Sequence, residues 1–190
     1  MIMDLVLANR SYRRFIQKES IDEKTLRALV DLARQTPSSA NLQPLKYLLT
    51  CTPERNAEVF STLSWAGYLT DWDGPADGER PSAYIVVLND TSISPTINCD
   101  HGIAVQTMLL AAAELGLGGC IFGSIDRRKL REQFDIDEHL DILLVVALGK
   151  PLEKVVLEEV AEDGSIKYYR DAQAVHHVPK RALEDIILKK

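Results

Sequence analysis

The chain has 190 residues, with 22 Lys or Arg against 28 Asp or Glu, so its net charge is −6. Hydrophobic residues make up 46% and charged residues 26%, a composition typical of a soluble globular domain and not of a disordered chain. The acidic balance disfavours nucleic acid and anionic membranes as partners.

The N-terminus and the cysteines bear on the compartment. The first ten residues lack the basic and apolar regions of a secretory signal, and no segment reaches the roughly 18 apolar residues of a membrane span. Cys51, Cys99 and Cys120 are widely spaced and form no C-x-x-C motif, which favours a reducing compartment over a disulfide framework. We therefore expect a cytoplasmic protein.

The first part of the chain predicts a helix, a strand and a second helix. Ser20 to Glu23 has the pattern of a capping box, and the amphipathic helix that follows ends before Pro37. Lys46 to Cys51 predicts a strand. Thr52-Pro53 then predicts the start of a helix that runs to about Ser64.

The middle of the chain predicts a long loop and two buried elements. The Gly-, Pro- and Asp-rich segment from Tyr68 to Pro81 is longer than an ordinary connection, and such loops are often functional. Ala83 to Leu88 predicts a strand that is covered on both faces. The apolar segment from Asn98 to Leu115 predicts a helix that is buried within the domain or against another subunit.

The remaining elements complete a mixed pattern. Cys120 to Phe122 and Ile142 to Leu148 predict strands, and Asp126 to Phe134 predicts a basic helix. In the tail, the predicted elements are a hairpin of Val155 to Val160 with Ile166 to Tyr169 around Asp163-Gly164, and a terminal helix from Ala182 to Leu188. Helices and strands alternate, which predicts a three-layer α+β or α/β domain with a central sheet.

A first candidate binding motif is Asn9 to Phe15, with the sequence NRSYRRF. Its three guanidinium groups and a hydroxyl could bind a phosphate, because arginine offers planar bidentate donors and stays charged. Taken alone, however, an arginine cluster is more often a solvated basic turn.

A second candidate is Thr36 to Pro44, with the sequence TPSSANLQP between a helix and a strand. Its hydroxyl and carboxamide groups and its loop backbone can match a flat heterocycle whose edge alternates donors and acceptors. A plain helix-to-strand connection needs fewer residues and fewer such groups, so we favour a binding role.

A third candidate is the glycine-rich segment Gly116 to Ser124, with the sequence GLGGCIFGS. It follows a helix and enters a strand, the reverse of the context of a dinucleotide fingerprint, so a Rossmann site is disfavoured. Gly116 is the expected residue just past the helix end. Gly123-Ser124 would let backbone approach a ligand closely, although a plain turn explains this pair equally well.

Two clusters of metal-capable side chains are weaker candidates. Cys99-Asp100-His101 lies at a predicted helix start, where consecutive side chains point in different directions, so joint ligation of one ion is disfavoured. His176-His177 is an isolated pair that we expect at the surface.

Together, NRSYRRF, PSSANLQP, GLGGCIFGS and LGKP at Leu148 to Pro151 resemble the FMN-dependent nitroreductase family from about Asp4 to Pro151. The resemblance implies a three-layer α-β-α fold of the α+β class, with a central, mostly antiparallel sheet flanked by helices. It also implies an intertwined homodimer with two FMN sites at the subunit interface. Residues 155–190 would be a C-terminal extension of the single domain 1–190 that could pack on the partner subunit.

The resemblance also assigns cofactor-binding residues. Arg10, Ser11 and Arg13 match the phosphate and ribityl positions, and Lys180-Arg181 resembles the C-terminal basic element that returns to the phosphate. Asn9 stands where many relatives have arginine. Residues matching the segment that lines the isoalloxazine are Pro37, Ser38, Ser39 and Asn41, and those matching the backbone near its reactive edge are Gly123 and Ser124.

The activity that the resemblance implies is ping-pong electron transfer. NAD(P)H would deliver hydride to flavin N5 and leave, and a nitroaromatic, quinone or related electrophile would then take the electrons. A cofactor carries the hard step, so a nucleophile–base pair is not needed. Two alternatives stay open: a specialised flavoenzyme of the same fold, such as a dehalogenase or metabolite oxidase with the Tyr68 to Pro81 loop as its lid, and a flavin-binding redox sensor without turnover.

Overall fold

A four-stranded antiparallel sheet forms the centre of the computed structural model, which describes residues 1–188. Its strands are β1 (Leu45–Thr50), β2 (Ala83–Asp90), β3 (Gly118–Phe122) and β4 (Leu140–Gly149), in the order β1-β2-β4-β3. All eight residues of β2 are buried, because strands pair on both of its sides and helices cover both faces. The four predicted strands of this sheet are confirmed.

Helices cover the two faces of the sheet. α2 (Glu23–Ala33) and α4 (Asp100–Glu114) pack on one face, and α3 (Pro53–Phe60) and α5 (Arg127–Phe134) pack on the other. Alternate residues of β2 belong to the two cores, because successive strand side chains point to opposite faces. The predicted three-layer α+β architecture is confirmed.

Capping groups set the helix ends. Asp22, rather than Ser20, caps α2, and its carboxylate accepts a hydrogen bond of 2.8 Å from the backbone N–H of Thr25. The predicted capping box is therefore wrong, because Asp22 is itself a strong N-cap residue and reaches the third helical N–H. α3 starts at Pro53 with Thr52 as its N-cap, as predicted, but it ends at Phe60 rather than near Ser64.

The C-terminus of α4 turns the chain directly into β3. Gly116 has a φ of 69°, and its N–H donates to the carbonyl of Ala113 at 3.0 Å while the N–H of Leu117 donates to that of Ala112 at 2.8 Å. These two bonds form a Schellman motif, whose left-handed residue favours glycine. The predicted role of Gly116 is confirmed.

The tail forms a second sheet of three strands, β5 (Val155–Glu159), β6 (Tyr169–Arg170) and β7 (His176–Lys180), in the order β5-β7-β6. The predicted hairpin is wrong, because β7 lies between the two expected partners and pairs parallel to β5 and antiparallel to β6. Pro179 weakens the strand pattern of β7. The proline is tolerated because β6 pairs only with the first two residues of β7, so one side of β7 is free at Pro179.

The two ends of the chain form short helices. α1 (Ile2–Ala8) was not predicted, because it has no buried residue and therefore no periodic pattern of core-facing side chains. α6 (Leu183–Ile186) is shorter than the predicted helix from Ala182 to Leu188. Residues 189 and 190, the end of the predicted extension, lie outside the described residues. Within residues 1–188, no helix is both long enough and apolar enough to cross a bilayer.

Candidate cofactor site

The segment that follows α1 lies against the edge strand β3. Ser11 forms a parallel bridge with Gly119, and the N–H of Tyr12 donates to the carbonyl of Gly119 at 3.0 Å. A Cβ on Gly118 would stand 2.4 Å from Cδ2 of Tyr12, so a side chain there would push the segment away. The glycine-rich motif thus holds the arginine motif against the sheet.

A cavity of about 340 Å³ lies beside this segment. Among residues 1–188, its lining includes three basic side chains, those of Arg10, Arg13 and Lys180, and no carboxylate. Asn9 and Ser11 also line it. The structure therefore brings together most of the residues that were assigned to phosphate binding, although they come from opposite ends of the chain.

Arg14 does not line this cavity. Its Nε donates to Oε2 of Glu79 at 2.7 Å, so the third guanidinium of the motif is used in an ion pair with the long loop. No residue of that loop, from Tyr68 to Pro81, lines the cavity either. The role of the loop as a lid stays a prediction.

Lys180 lies at the cavity as the last residue of β7. His176, Val178 and Lys180 alternate along the strand and all three line the cavity, as expected for side chains on one face. Arg181 follows the end of the strand, is exposed and does not line the cavity. The predicted basic pair is therefore divided, with Lys180 at the cavity and Arg181 outside it.

Arg13 is held by aromatic side chains of the tail. Its Nη1 lies 3.0 Å from Nε2 of His176, and its Cζ lies 4.5 Å from the ring centroid of Tyr168. Arginine can only donate, so Nε2 of His176 accepts this bond and the imidazole is neutral. Burial, followed by the positive charge of Arg13, lowers the pKa of His176 to about 4.

The position of His176 corrects a prediction. The His176-His177 pair was expected at the surface, but His176 is 0% exposed. His177 lies on the opposite face of β7, between Glu158 and Asp171 at 3.0 Å and 3.1 Å. Successive side chains of a strand point to opposite faces, so His176 and His177 are separated. The prediction missed this because β7 itself was not predicted.

Two buried donors of the cavity lack partners within the described residues. They are Nε of Arg10 and Nδ1 of His176, which carries the ring proton because Nε2 accepts from Arg13. Buried donors are normally satisfied, and leaving one unsatisfied costs about 1–3 kcal/mol. A phosphate, with its charged acceptor oxygens, fits this set of donors.

The predicted isoalloxazine segment lies elsewhere in the same chain. Pro37 and Ser38 line a different cavity of about 210 Å³, and Ser39 lines a further one. Asn41 is exposed in a short 3-10 turn, Ser39–Asn41, that precedes β1. None of these residues lines the cavity of Arg10 and Arg13.

The sheet register shows how far apart the two groups are. β1 and β3 are the opposite edges of the sheet, which places them about 14 Å apart across the strands. Leu45 is aligned through Asn89 with Asp141 of β4, whereas Gly119 pairs with Leu148 of the same strand. The offset along β4 adds about 23 Å. One chain does not bring the two predicted groups together.

A buried carboxylate holds the Pro37 to Asn41 loop. Asp100, which is 4% exposed at the start of α4, accepts from Oγ of Ser38 at 2.6 Å and from the N–H of Ser39 at 3.1 Å. Oγ of Ser38 also accepts from the N–H of Gln43 at 2.9 Å, so this hydroxyl is used within the loop. Asp100 was singled out only as a metal-capable residue, and its contact with the loop was missed.

The same loop holds strained backbone. Ala40 and Asn41 have φ values of 48° and 55°, in the left-handed region. For alanine this conformation costs roughly 1–2 kcal/mol. Such strain concentrates at functional sites, where the surrounding structure enforces it.

Gly123 and Ser124 directly follow β3, the edge strand against which the arginine segment lies. From Gly119 to Gly123 the strand advances about 13 Å, and Ile121, between them, lines the cavity and is 43% exposed. A Cβ on Gly123 would meet no atom within 4 Å, so the chain itself leaves open space there. The carbonyl of Ser124 accepts from the N–H of Ser64 at 3.1 Å, which connects it to the segment that follows α3.

Comparisons with known proteins identify the family. A family model described as the Nitroreductase family matches residues 6–150. The Bacillus subtilis protein YodC, provisionally named an NAD(P)H nitroreductase, is 21% identical, and the match covers 80% of this chain and 90% of that protein.

Solved structures show the same fold. A nitroreductase family protein from Streptococcus pneumoniae TIGR4 superposes with a TM-score of 0.72 at 17% identity and covers 100% of both chains. A provisionally named nitroreductase from Exiguobacterium sibiricum, solved in complex with FMN, superposes with a TM-score of 0.67 at 17% identity, covering 80% of this chain and 89% of that one. The chain belongs to the nitroreductase family.

Proposed function

We propose that the protein is an FMN-dependent oxidoreductase that takes electrons from NAD(P)H and reduces nitroaromatic, quinone or related electrophilic acceptors. The observation that carries this proposal is the cavity of Arg10, Arg13 and Lys180, where the part of the chain that the structure describes supplies no carboxylate to the lining and no partner to two buried donors. The FMN in the Exiguobacterium protein and the name of the Bacillus protein support it. A cytoplasmic location is part of the proposal.

The chain's own residues would bind and orient the cofactor. Arg10, Arg13 and Lys180 would bind the phosphate by charge-assisted hydrogen bonds, and the hydroxyl of Ser11 would add a further group. Gly123 and Ser124, which follow β3 beyond the exposed Ile121, would supply the backbone near the reactive edge of the ring system. When bound, FMN supplies the two-electron chemistry between NAD(P)H and the acceptor.

We also propose that two copies of the chain complete each site. The Pro37 to Asn41 loop is too far from the cavity of its own chain to contact the same small cofactor, so a second copy would supply it. The helices at both ends of the chain offer exposed apolar side chains that such a dimer would cover. These are Ile2 (62%), Met3 (66%) and Leu7 (60%) in α1 and Leu183 (62%) and Ile186 (63%) in α6.

The test starts from protein stripped of any flavin. FMN is titrated while its fluorescence is followed, and the loaded protein is then mixed anaerobically with NADH or NADPH. Tight binding followed by rapid bleaching supports the oxidoreductase, and an acceptor screen on the reduced protein then identifies the substrate class. Failure to bind FMN contradicts the proposal. Binding without bleaching by either nucleotide contradicts the enzymatic role and favours the redox sensor.

A further inference from the structure

A buried carboxylate joins the arginine segment to the C-terminal sheet. The side chain of Glu153, between β4 and β5, is 0% exposed. Its Oε1 accepts from the backbone N–H of Arg13 and, at 3.3 Å, from that of Arg14, and its Oε2 accepts from Nη2 of Arg170 at 3.0 Å. One side chain thus binds two segments that are far apart in the sequence.

On one side, Glu153 fixes the backbone from which the Arg13 side chain projects. The N–H of Leu152 donates to the carbonyl of Arg14 at 3.0 Å, and Phe15 forms an antiparallel bridge with Pro151. The N–H of Arg13, next along the same segment, donates to the side chain of Glu153 instead of to a backbone carbonyl. The direction of the Arg13 guanidinium into the cavity therefore depends on this carboxylate.

The other oxygen of Glu153 binds β6, the strand that pairs with β7. Arg170 belongs to β6, where it pairs with His176 of β7, and its side chain is 16% exposed. Its guanidinium also covers the ring of Trp72, with Cζ 4.7 Å from the centroid. His176 and Lys180 of β7 line the cavity. The ion pair of Glu153 with Arg170 therefore fixes the C-terminal sheet in the position that places these two side chains there.

We propose that Glu153 is a positioning residue that couples the docking of the C-terminal sheet, residues 155–180, to phosphate binding in the cavity of Arg10, Arg13 and Lys180. The proposal rests on the proposed function in one respect, since it takes the phosphate to be that of FMN. Glu153 itself does not line the cavity, so it acts through Arg13 and Arg170. Coupling between two events is reciprocal, so phosphate binding must also stabilise the docked sheet.

The first experiment compares FMN with riboflavin, which has the same ring system and no phosphate. In Glu153→Gln, an amide oxygen can still accept from the backbone, but the charge opposite Arg170 is lost, and Glu153→Ala removes both. We expect the FMN dissociation constant to rise at least tenfold in Glu153→Gln and further in Glu153→Ala, while that of riboflavin changes less than twofold. Equal weakening of both flavins, or of neither, would overturn the proposal.

A matched control is Glu79→Gln. This variant also removes a carboxylate that pairs with an arginine of the same segment, but that arginine, Arg14, does not line the cavity. We expect its FMN dissociation constant to stay within twofold of that of the unmodified protein. A loss as large as that of Glu153→Gln would mean that any disturbance of the segment weakens FMN binding, and the specific role of Glu153 would be wrong.

The second experiment measures hydrogen exchange of residues 155–180 with and without FMN. We expect faster exchange in ligand-free Glu153→Ala than in the ligand-free unmodified protein. FMN should slow this exchange in the unmodified protein but not in the variant, and unchanged exchange in both states would overturn the docking role. If the unmodified protein binds neither flavin, the proposed function and the phosphate coupling both fail. The ligand-free comparison still decides whether Glu153 docks the sheet.

Discussion

Nη1 of Arg13 lies 3.0 Å from Nε2 of His176, although 163 positions separate the two residues. Because burial, and after it the positive charge of Arg13, oppose protonation, the pKa of His176 falls from its ordinary 6.5 to about 4. The same contact orients the Arg13 guanidinium at the edge of the cavity. A buried neutral histidine therefore links the stability of the tail to the geometry of the basic cavity.

The stability of the protein should depend on pH through His176. Below about pH 6.5 the unfolded chain binds a proton there, whereas the folded protein does so only near pH 4. This contribution to the free energy of unfolding is thus complete above pH 6.5 and is lost as the pH falls from 6.5 to 4, by on the order of 3 kcal/mol in all, of which about 2 kcal/mol is lost by pH 5. Urea unfolding at pH 7 and pH 5 should show a smaller loss in His176→Gln than in the unmodified protein.

His177 provides a control of opposite sign. Its hydrogen bonds with Asp171 and Glu158 raise its pKa, so its protonation stabilises the folded protein as the pH falls through its range. Replacing His177 with Gln should therefore increase the loss of stability between pH 7 and pH 5. An equal pH dependence in both variants and in the unmodified protein would contradict the assignment of either histidine.

The basic cavity predicts a large effect of removing its arginines. A hydrogen bond to a charged group contributes about 1.5–3 kcal/mol, so Arg10→Ala with Arg13→Ala should weaken FMN binding at least a hundredfold. Fluorescence titration measures this loss, and Arg128→Ala, which removes an exposed arginine of α5, is the control. If the double variant retains FMN with unchanged affinity, the phosphate assignment is wrong.

Local patterns in the sequence predicted the central sheet and its helices well, because apolar runs bounded by turn residues lie in the cores they imply. They did not predict α1, which buries no side chain. They also mispaired the tail, because Asp163-Gly164 marks a turn but does not determine which strand lies next to β5. Strand partners are set by contacts between distant residues, which periodicity does not report.

The candidate site shows the same division. The resemblance to the nitroreductase family assigned Arg10, Arg13 and Lys180, and the structure places all three at one cavity. No sequence pattern indicated a role for Glu153, whose bond to Arg13 spans 140 positions. The prediction that His176 lies at the surface was wrong. Both act through contacts that exist only after the tail has folded over the N-terminal segment.

The proposed dimer predicts that a charge on α6 will separate the subunits. Ile186 is 63% exposed, so Ile186→Glu should leave the folded chain intact while it places a charge in the proposed interface. Sedimentation velocity at micromolar concentration should show a dimer for the unmodified protein and a monomer with weakened FMN binding for the variant. A dimeric, fully loaded Ile186→Glu protein would exclude α6 from the interface.

The control for this experiment is Ile166→Glu, which introduces the same charge at an isoleucine that is 46% exposed near the turn of the tail. It should remain dimeric. Leu109 of α4 is unsuitable for the test, because it is only 5% exposed within its own chain and packs in the core. A charge at Leu109 would unfold the chain whether or not it forms a dimer.

The thiols should take no part in the reaction, although Cys120 lies on β3 between the arginine segment and Gly123. Cys120 is 5% exposed, and burial raises the pKa of its thiol to about 11, so it is neither a good nucleophile nor readily oxidised. Cys99 is exposed, and Cys51 is partly buried just past β1. We expect Cys51→Ser, Cys99→Ser and Cys120→Ala, made singly, to retain FMN and its rate of reduction by NAD(P)H within a few-fold. Of the three, Cys120→Ala should lose about 1 kcal/mol of stability.

Anaerobic stopped-flow reduction measures these rates, and alkylation of the native protein gives an independent check, since iodoacetamide should modify Cys99 first and Cys120 last. Cys99→Ser serves as the exposed control for Cys120→Ala, because it removes a thiol without disturbing the core. A hundredfold loss of reduction rate corresponds to about 2.7 kcal/mol in the barrier. Such a loss in a variant that still binds FMN would show that a thiol participates, and the proposal that the cofactor alone carries the electron transfer would be wrong.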